Sequence, residues 1–247
     1  MMRAFAKTHR GYVRSENQDR FLANPTQHGW LVAVADGMGG PPGGAGASQR
    51  ALEIIGGQIG VDRPHSAADL EQSVKAANLA LFRWAHEEQG LAGMGTTLTV
   101  AQLTANELIV AHVGDSRAYR IRAGQLERLT RDHSVAAELE AAKQITATEA
   151  AHHPQRHVLT RAVGPWNSVR VDLLVVSWHA ADRLLLCTDG LTGLMSDNEI
   201  MAMLLEHRGQ AAVDALVSEA LARGGVDNVT VVLVEDDDDK DSHHHDR

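Results

Sequence analysis

Five aspartates, each set in a short apolar or glycine-rich context, are the residues of this sequence best suited to chemistry. They are Asp19, Asp36, Asp115, Asp189 and Asp227. Asp36 and Asp189 end apolar runs and are each followed by a glycine, which predicts a strand that turns sharply at the rim of a sheet. Carboxylates brought together repel one another unless a cation or a shared proton compensates them. Their hard oxygen atoms suit Mg²⁺ or Mn²⁺, so the sequence indicates a divalent-metal site built from distant strand ends.

Each aspartate also has a simpler explanation, because an Asp-Gly pair is usually a turn. Asp19 could be a surface acid, Asp115 a turn residue before Ser116, and Asp227 part of a helix-to-strand turn with Asn228. Five such acids in one chain favour the metal site, because turns do not require so many strand ends to finish in an acid.

The composition indicates one large globular domain. The chain has 247 residues and is 44% hydrophobic, enough for a substantial core. It lacks the run of about 18 apolar residues that a membrane helix requires, and its start lacks the apolar segment of a signal peptide. Cys187 is the single cysteine, so an intramolecular disulfide is excluded and a reducing compartment is indicated. We therefore expect a cytoplasmic protein.

Cys187 itself is predicted to be a small buried hydrophobe, because it lies inside the apolar run Leu-Leu-Leu-Cys. A nucleophilic cysteine in a phosphate-binding loop needs an arginine shortly after it. The residues that follow Cys187 are Thr-Asp-Gly-Leu-Thr-Gly-Leu, so catalysis by this thiol is disfavoured.

The net charge of −9 is concentrated at the C-terminus. The segment from Glu235 to Arg247 holds seven acidic and two basic residues and carries −5, which leaves −4 for the body. No basic stripe is present, so we expect no nucleic-acid partner and, without an apolar span, no membrane partner. Residues 236–247 are predicted to be a disordered acidic and histidine-rich tail.

The spacing of apolar residues predicts an α+β domain over residues 1–235. Strands are predicted over 5–8, 29–36, 96–103, 107–113, 117–122, 126–129, 169–178, 183–188 and 228–234, and helices over 47–59, 66–88, 197–206 and 210–223. Residues 39–46 are predicted to form a flexible glycine-rich connection, and residues 133–157 an excursion that is helical in parts. Short links between strands favour antiparallel pairing. The element order predicts a four-layer α-β-β-α sandwich of two antiparallel sheets flanked by helix pairs.

Eight short motifs occur in chain order: Arg-Ser-Glu-Asn-Gln-Asp, Val-Ala-Asp-Gly-Met-Gly-Gly, Gly-Thr-Thr, Val-Gly-Asp-Ser-Arg, Leu-Thr-Arg-Asp-His-Ser, Leu-Thr-Arg-Ala-Val-Gly, Thr-Asp-Gly-Leu and Asp-Asn-Val-Thr. From about residue 6 to residue 234 the chain thereby resembles bacterial metal-dependent serine/threonine protein phosphatases of the PPM (2C-type) family. The resemblance implies hydrolysis of phosphoserine and phosphothreonine on proteins, in opposition to a Ser/Thr kinase. It also implies a fold of two antiparallel sheets between helices, and we expect a monomer.

The resemblance implies two core Mn²⁺ or Mg²⁺ ions. Carried over by motif, Asp36 bridges the two ions, the Gly37 carbonyl is a ligand of one, and Asp189 and Asp227 are ligands of the other. Two cations about 3.5–4 Å apart lower the pKa of a bridging water, so that hydroxide can attack phosphorus in line near neutral pH. Cations held by carboxylates rather than by a full protein cage are expected to keep several waters.

Three further residues take supporting roles by the same resemblance. Asp19 holds water of the metal shell, Asp115 helps to hold a third, weaker ion, and Arg14 binds the phosphate. A guanidinium suits that task because it stays charged and offers two parallel donors. The alternative for Arg14 is a surface arginine paired with Glu16.

The chain departs from the family at the position of the general acid. Eukaryotic relatives have a histidine where this chain has Met38, and many bacterial relatives have one where it has Pro41. Protonation of the leaving alkoxide then depends on metal-bound water or on another residue. His133 and His157 are candidates, and a structural or surface role is the alternative for each.

The sequence favours an enzyme over two other classes of protein. A binding module that keeps the fold without turnover is disfavoured because all the ligand positions are acidic. A nucleotide or phosphate carrier is disfavoured because the glycine-rich segment lacks the Lys-Ser/Thr of a P-loop. An aspartyl-phosphate mechanism lacks a second aspartate two residues after Asp189. The 133–157 excursion corresponds to a mobile flap in the family, and we predict that it selects substrates.

Overall fold

The computed structural model describes residues 1–40, 43–60 and 62–236. Its strands are β1 (Met2–His9), β2 (Asp19–Thr26), β3 (Gly29–Met38), β4 (Gly95–Thr96), β5 (Leu98–Thr104), β6 (Glu107–Val113), β7 (Arg117–Arg122), β8 (Gln125–Arg128), β9 (Asp172–Ser177), β10 (Arg183–Cys187) and β11 (Val229–Asp236). Its helices are α1 (Gly43–Gln58), α2 (Ala67–Glu87), α3 (Val135–Ala141), α4 (Ala147–Ala151), α5 (Asp189–Thr192), α6 (Asp197–Glu206) and α7 (Gly209–Ala222). Of the predicted tail, Asp236 ends β11, and residues 237–247 lie outside the described residues.

The strands form two antiparallel sheets that lie face to face. One sheet has the order β1-β11-β10-β7-β8, and the other has the order β2-β3-β5-β6-β9 with β4 paired to β3. Helices α1 and α2 cover the outer face of the second sheet, while α6 and α7 cover the outer face of the first. The predicted four-layer α-β-β-α sandwich is confirmed.

Side chains along each strand point alternately to its two faces. They fill three apolar layers, one between the sheets and one between each sheet and its helices. In β10, Leu184 and Leu186 point between the sheets, whereas Leu185 and Cys187 point toward α6 and α7. The same alternation in β3 sends Val34 between the sheets, because successive strand side chains face opposite sides. All five side chains are fully buried. Cys187 is therefore the buried hydrophobe that the sequence predicted.

The boundaries of α2 follow from its capping residues. The Ser66 hydroxyl accepts a hydrogen bond from the Asp69 N–H, and the Asp69 carboxylate accepts one from the Ser66 N–H. This reciprocal pair satisfies two backbone donors at the helix N-terminus. The helix predicted over 66–88 is thus confirmed to within one residue at each end. No helix in the described part of the chain is long and apolar enough to cross a membrane.

Strand β2 was missed by the sequence analysis because Asn24 and Pro25 have the composition of a turn. β2 is the edge strand of its sheet, where a proline without an N–H can be tolerated. Its register with β3 places Asp19 directly opposite Asp36.

The prediction of a flexible connection over 39–46 is wrong from Gly43 onward, because α1 begins there. The glycines allow close packing. A Cβ on Gly37 would lie 2.1 Å from the Gly44 carbonyl oxygen, so the end of β3 and the first turn of α1 can approach only without side chains.

Candidate metal centre

Asp36 is fixed near the end of β3 by its own backbone. Its N–H donates to the Thr97 hydroxyl at 2.9 Å, and its carbonyl accepts from the Thr97 N–H and from the Thr96 hydroxyl, each at 2.9 Å. Thr97 is the residue at which the strand predicted over 96–103 breaks into β4 and β5. The next residue, Gly37, donates its N–H to the Gln18 carbonyl at 3.2 Å. The Asp36 side chain is therefore held by backbone bonds that leave its carboxylate unconstrained.

Asp19 joins the two sheets. It begins β2, yet its Oδ2 accepts hydrogen bonds of 2.7 Å from Thr188, which follows β10, and of 2.7 Å from Thr230 in β11. Its Oδ1 is buried and has no hydrogen-bond partner. A buried carboxylate oxygen without a partner is costly, so this atom suits a cation or an ordered water.

Asp189 and Asp227 approach from the other sheet. Asp189 is the first residue of α5, directly after β10, and its Oδ1 is also buried without a hydrogen-bond partner. Its Oδ2 lies 3.4 Å from His157 Nδ1. Asp227 precedes β11, and its Oδ2 accepts a 2.6 Å hydrogen bond from Arg14 Nη2. The predicted alternative partner of Arg14, Glu16, is not the one that the structure shows.

Asp115 lies in the turn between β6 and β7 and is 8% exposed. The turn is held from both sides by His133, whose N–H donates to the Gly114 carbonyl at 2.7 Å and whose Nδ1 accepts from the Gly114 N–H at 3.0 Å. Gly114 has φ +114°, and a Cβ there would lie 2.6 Å from the Thr97 side chain. The turn that presents Asp115 therefore requires glycine.

Burial and mutual repulsion raise the pKa values of three of these carboxyl groups. Burial, with repulsion from Asp189 and Asp227, raises the pKa of Asp19 to about 7, although the hydrogen bonds from the Thr188 and Thr230 hydroxyls oppose the shift. The pKa of Asp36 is raised well above its usual range by burial and then by Asp19 and Asp189. The pKa of Asp115 is raised well above its usual range by burial and then by Asp189. A bound cation would reverse this penalty by favouring the charged forms.

Four of the five aspartates border one cleft of about 880 Å³, and the fifth, Asp19, is buried directly opposite Asp36 in the neighbouring strand. Arg14, Gly37 and His157 also line the cleft. All seven residues that the sequence predicted for the site are thus brought to one place. His157 is exposed at the cleft. His133 does not line it: the ring is 1% exposed, and both ring nitrogens are hydrogen-bonded to other residues.

The residues present fit a hard divalent cation. The Oδ1 atoms of Asp19 and Asp189 are buried without a hydrogen-bond partner, and burial together with mutual repulsion raises the pKa values of Asp19 and Asp36. Within the described residues, no three His, Cys, Asp or Glu side chains form a complete ligand set by themselves. Backbone carbonyls and water would have to complete the shell, as is usual for Mg²⁺ and similar ions.

Four supporting residues were not identified as such from the sequence. Asn228 accepts from the Gln18 N–H at 2.8 Å and donates to the Arg10 and Glu16 carbonyls at 2.7 and 2.9 Å, so it holds the loop that carries Arg14. Thr97, Thr188 and Thr230 hold the aspartates. The available signal was position, since Thr188 and Asn228 each adjoin a predicted ligand.

The thiol of Cys187 takes no part in the site. Burial raises its pKa to about 12, so the reactive thiolate is disfavoured at neutral pH. This agrees with the prediction that Cys187 is not a nucleophile.

The model of the protein phosphatase 2C family matches residues 8–223. The chain belongs to this family. The serine/threonine phosphatase stp of Listeria welshimeri is 35% identical to it over 243 residues, which cover 95% of this chain and 96% of the relative. PstP of Mycobacterium tuberculosis is 37% identical over 237 residues, which cover 95% of this chain and 45% of PstP.

Solved structures of family members have the same fold. The M. tuberculosis PstP structure matches with a TM-score of 0.89 at 37% identity and covers 95% of this chain and 98% of its own. Stp1 of Staphylococcus aureus matches with a TM-score of 0.89 at 33% identity and covers 96% of both chains. A PstP catalytic domain in complex with two manganese ions matches with a TM-score of 0.86 at 36% identity and covers 95% of this chain and 97% of its own. The chain is thus a PPM-family protein serine/threonine phosphatase, and the family supports its metal dependence.

Proposed function

We propose that this phosphatase hydrolyses phosphoserine and phosphothreonine on proteins with two Mn²⁺ or Mg²⁺ ions in the cleft of the candidate metal centre and a third, weaker ion beside Asp115. The observation that carries the proposal is the convergence of Asp36, Asp189 and Asp227 from both sheets on one cleft. The unpaired Oδ1 atoms of Asp19 and Asp189 support it.

Each residue has a distinct task in this proposal. Asp36 would hold both core ions, the Gly37 carbonyl one of them, and Asp189 and Asp227 the other. When bound, two such ions supply Lewis acidity and make hydroxide available near neutral pH for in-line attack on phosphorus. Asp19 would orient water in the ions' hydration shell, because only its Oδ2 is committed to protein hydroxyls.

Arg14 would bind the phosphate oxygens. Its guanidinium now lies on Asp227, and its side chain is 56% exposed at the mouth of the cleft. An incoming phosphate could share the guanidinium with Asp227, since arginine has five N–H donors. His157 is the histidine best placed to protonate a leaving alkoxide, because it borders the cleft and its ring is exposed.

The proposed catalytic domain consists of residues 1–235. We infer that it acts as a monomer in the cytoplasm, where it would reverse phosphorylation by a Ser/Thr kinase. Support for the domain limits comes from the pairing of β1 with β11, which joins the two ends of this segment in one sheet. The family match over residues 8–223 lies inside these limits.

The direct test is phosphate release from a phosphothreonine peptide with and without Mn²⁺. We expect chelation to abolish hydrolysis and added Mn²⁺ to restore it. Asp36→Asn should lose most of the rate, while Asp214→Asn, at a half-buried aspartate paired with Lys7, serves as the matched control. Full turnover of Asp36→Asn in saturating Mn²⁺ would refute the assignment of the bridging ligand.

A further inference from the structure

A second chamber opens beside the metal cleft. It has a volume of about 810 Å³ and lies between α3 and α4 on one side and the start of α6 on the other. Both hollows are lined by Asp115, Arg156, His157, Asp189 and Gly193. The chamber is therefore continuous with the place where the phosphorylated residue would bind.

Apart from Asp115 and Asp189, which the proposed metal ions would neutralise, the walls of this chamber carry more basic than acidic side chains. The basic residues that line it are Arg117, Arg128, Arg131, Lys143 and Arg156, and the acidic residues outside the proposed metal site are Asp132, Glu140 and Asp197. A wall with more basic than acidic groups raises the local concentration of anions. The part of the chamber away from Asp115 and Asp189 is thus positively charged, in contrast to the neighbouring aspartate cluster.

Three of these basic side chains have no carboxylate partner within the described residues: Arg131, which donates to the Ala137 carbonyl at 2.8 Å, Lys143 and Arg156. Arg117 forms a fork on Asp132, with hydrogen bonds of 2.9 to 3.3 Å, and Arg128 pairs with the same carboxylate. In contrast, the side chains of Lys143 and Arg156 make no hydrogen bond or ion pair within the described residues. Both residues are exposed on the flap, one between α3 and α4 and the other just after α4.

We propose that this second chamber binds an anionic side chain of the phosphoprotein substrate, close in sequence to the phosphorylated residue. The proposal rests on the proposed function. An extended peptide advances about 3.3–3.6 Å per residue, so a group within about three residues of the phosphothreonine can enter the chamber from the metal cleft. The ammonium of Lys143 and the guanidinium of Arg156 accept either a carboxylate or a second phosphate. The enzyme would then prefer acidic or doubly phosphorylated segments.

Lys143 allows a clean substitution. Its φ of +57° lies in the left-handed region, which asparagine tolerates better than most residues. Lys143→Asn therefore removes the charge without imposing new backbone strain. Lys143 does not line the metal cleft, so the hydrolysis of a small aryl phosphate should be unchanged. Lys75→Gln on α2, outside both hollows, is the matched control for the loss of one lysine.

The test measures binding of labelled nine-residue peptides by fluorescence anisotropy in Mn²⁺. Each peptide carries a non-hydrolysable phosphonate analogue of phosphothreonine, flanked by neutral residues, by aspartates or by a second phosphoserine. Wild type and Lys75→Gln should bind the anionic peptides up to about tenfold more tightly than the neutral one, as expected for two partly exposed ion pairs. In Lys143→Asn this preference for anionic peptides should fall by up to about fivefold. The double variant Lys143→Asn/Arg156→Gln should bind anionic and neutral peptides equally well.

Equal binding of neutral and anionic peptides by wild type would overturn the proposal, as would a preference that survives in the double variant. Comparing the aspartate peptides with the phosphoserine peptide identifies which anion is preferred. Turnover of p-nitrophenyl phosphate and of the neutral phosphothreonine peptide reports separately on the proposed function. If the enzyme hydrolysed neither substrate but still preferred the anionic peptides, the proposed phosphatase mechanism would be refuted. The proposal that the second chamber binds an anionic side chain would still hold.

Discussion

His133 and Gly114 exchange two hydrogen bonds, one from each backbone N–H. Because Gly114 precedes Asp115 and His133 lies at the base of the flap, this pair fixes the flap to the turn that presents Asp115. The other ring nitrogen, Nε2, donates to Asp172 at 3.0 Å, since Nδ1 is already an acceptor. His133 therefore has a positioning role, and the alternative role as general acid is disfavoured.

We expect His133→Ala to destabilise the protein by about 2–4 kcal/mol, because it leaves the buried Gly114 N–H without an acceptor, removes the bond to Asp172 and opens a cavity where the buried ring lay. It should also raise the Mn²⁺ concentration needed for half-maximal activity, since Asp115 loses its support. His133→Asn keeps an acceptor near the Gly114 N–H and should recover the Mn²⁺ requirement more than the stability. Urea unfolding and Mn²⁺ titration of aryl phosphate hydrolysis measure the two effects.

The control for this prediction is His152→Ala, an exposed histidine of the same flap. It should change the free energy of unfolding and the Mn²⁺ midpoint little. A loss below about 1 kcal/mol in His133→Ala would show that water replaces the ring without cost.

Asp36→Asn should have opposite effects on stability with and without metal. In the metal-free protein, burial and the neighbouring aspartates raise the pKa of Asp36, so its charge opposes folding at neutral pH. Without that charge, the variant should melt about 3–6 °C above wild type in EDTA. Added Mn²⁺ should raise the Tm of wild type more, because a ligand that binds only the folded state stabilises it. Thermal melts in EDTA and in Mn²⁺ test this, and a variant that melts below wild type in EDTA would contradict it.

The four-layer architecture was predictable because strand and helix periodicities differ and because the turns between strands are short. β2 was not predicted because it contains Pro25, which is typical of a turn. An edge strand tolerates such a residue, whereas a central strand excludes it. The seven site residues came from motifs that adjoin strand ends. Position next to a predicted ligand could have pointed to Thr188. Which aspartate Thr97, Thr188 and Thr230 each support could not be predicted, because the supported aspartate lies on another strand and the register between strands is a property of the folded chain.

His112 should make the protein sensitive to acid. Its ring is buried, Nε2–H donates to the Arg131 carbonyl at 3.1 Å, and Nδ1 lies 2.9 Å from the Thr99 hydroxyl. Burial, with a further contribution from His133, lowers the pKa of His112 to about 3, although Asp132 and Asp172 oppose this shift. As the pH falls below about 6.5, the unfolded chain binds a proton at this position before the folded protein does, so stability falls with the pH.

The prediction is measured as the difference between wild type and His112→Gln in the free energy of unfolding, in EDTA. Between pH 7 and pH 5, wild type should lose about 2 kcal/mol relative to the variant, from one proton at about 1.4 kcal/mol per pH unit. Using the difference cancels the titration of the aspartates, which acts in the opposite direction. A constant difference across this range would mean that the folded protein accepts the proton on His112.

Arg14→Ala should act mainly on substrate affinity. The guanidinium lies at the mouth of the cleft and bonds to Asp227 at 2.6 Å, so it can serve the phosphate, the metal ligand, or both. Loss of charged hydrogen bonds to a phosphate should raise KM by about 10- to 100-fold, with a smaller effect on kcat if substrate and transition state are held alike. Arg14→Lys should recover part of the affinity because it keeps the charge and loses the fork. Arg10→Ala, in the same loop with its side chain on the Ser15 carbonyl, is the control. An unchanged KM in Arg14→Ala, with a raised Mn²⁺ requirement, would mean that Arg14 only holds Asp227 in place.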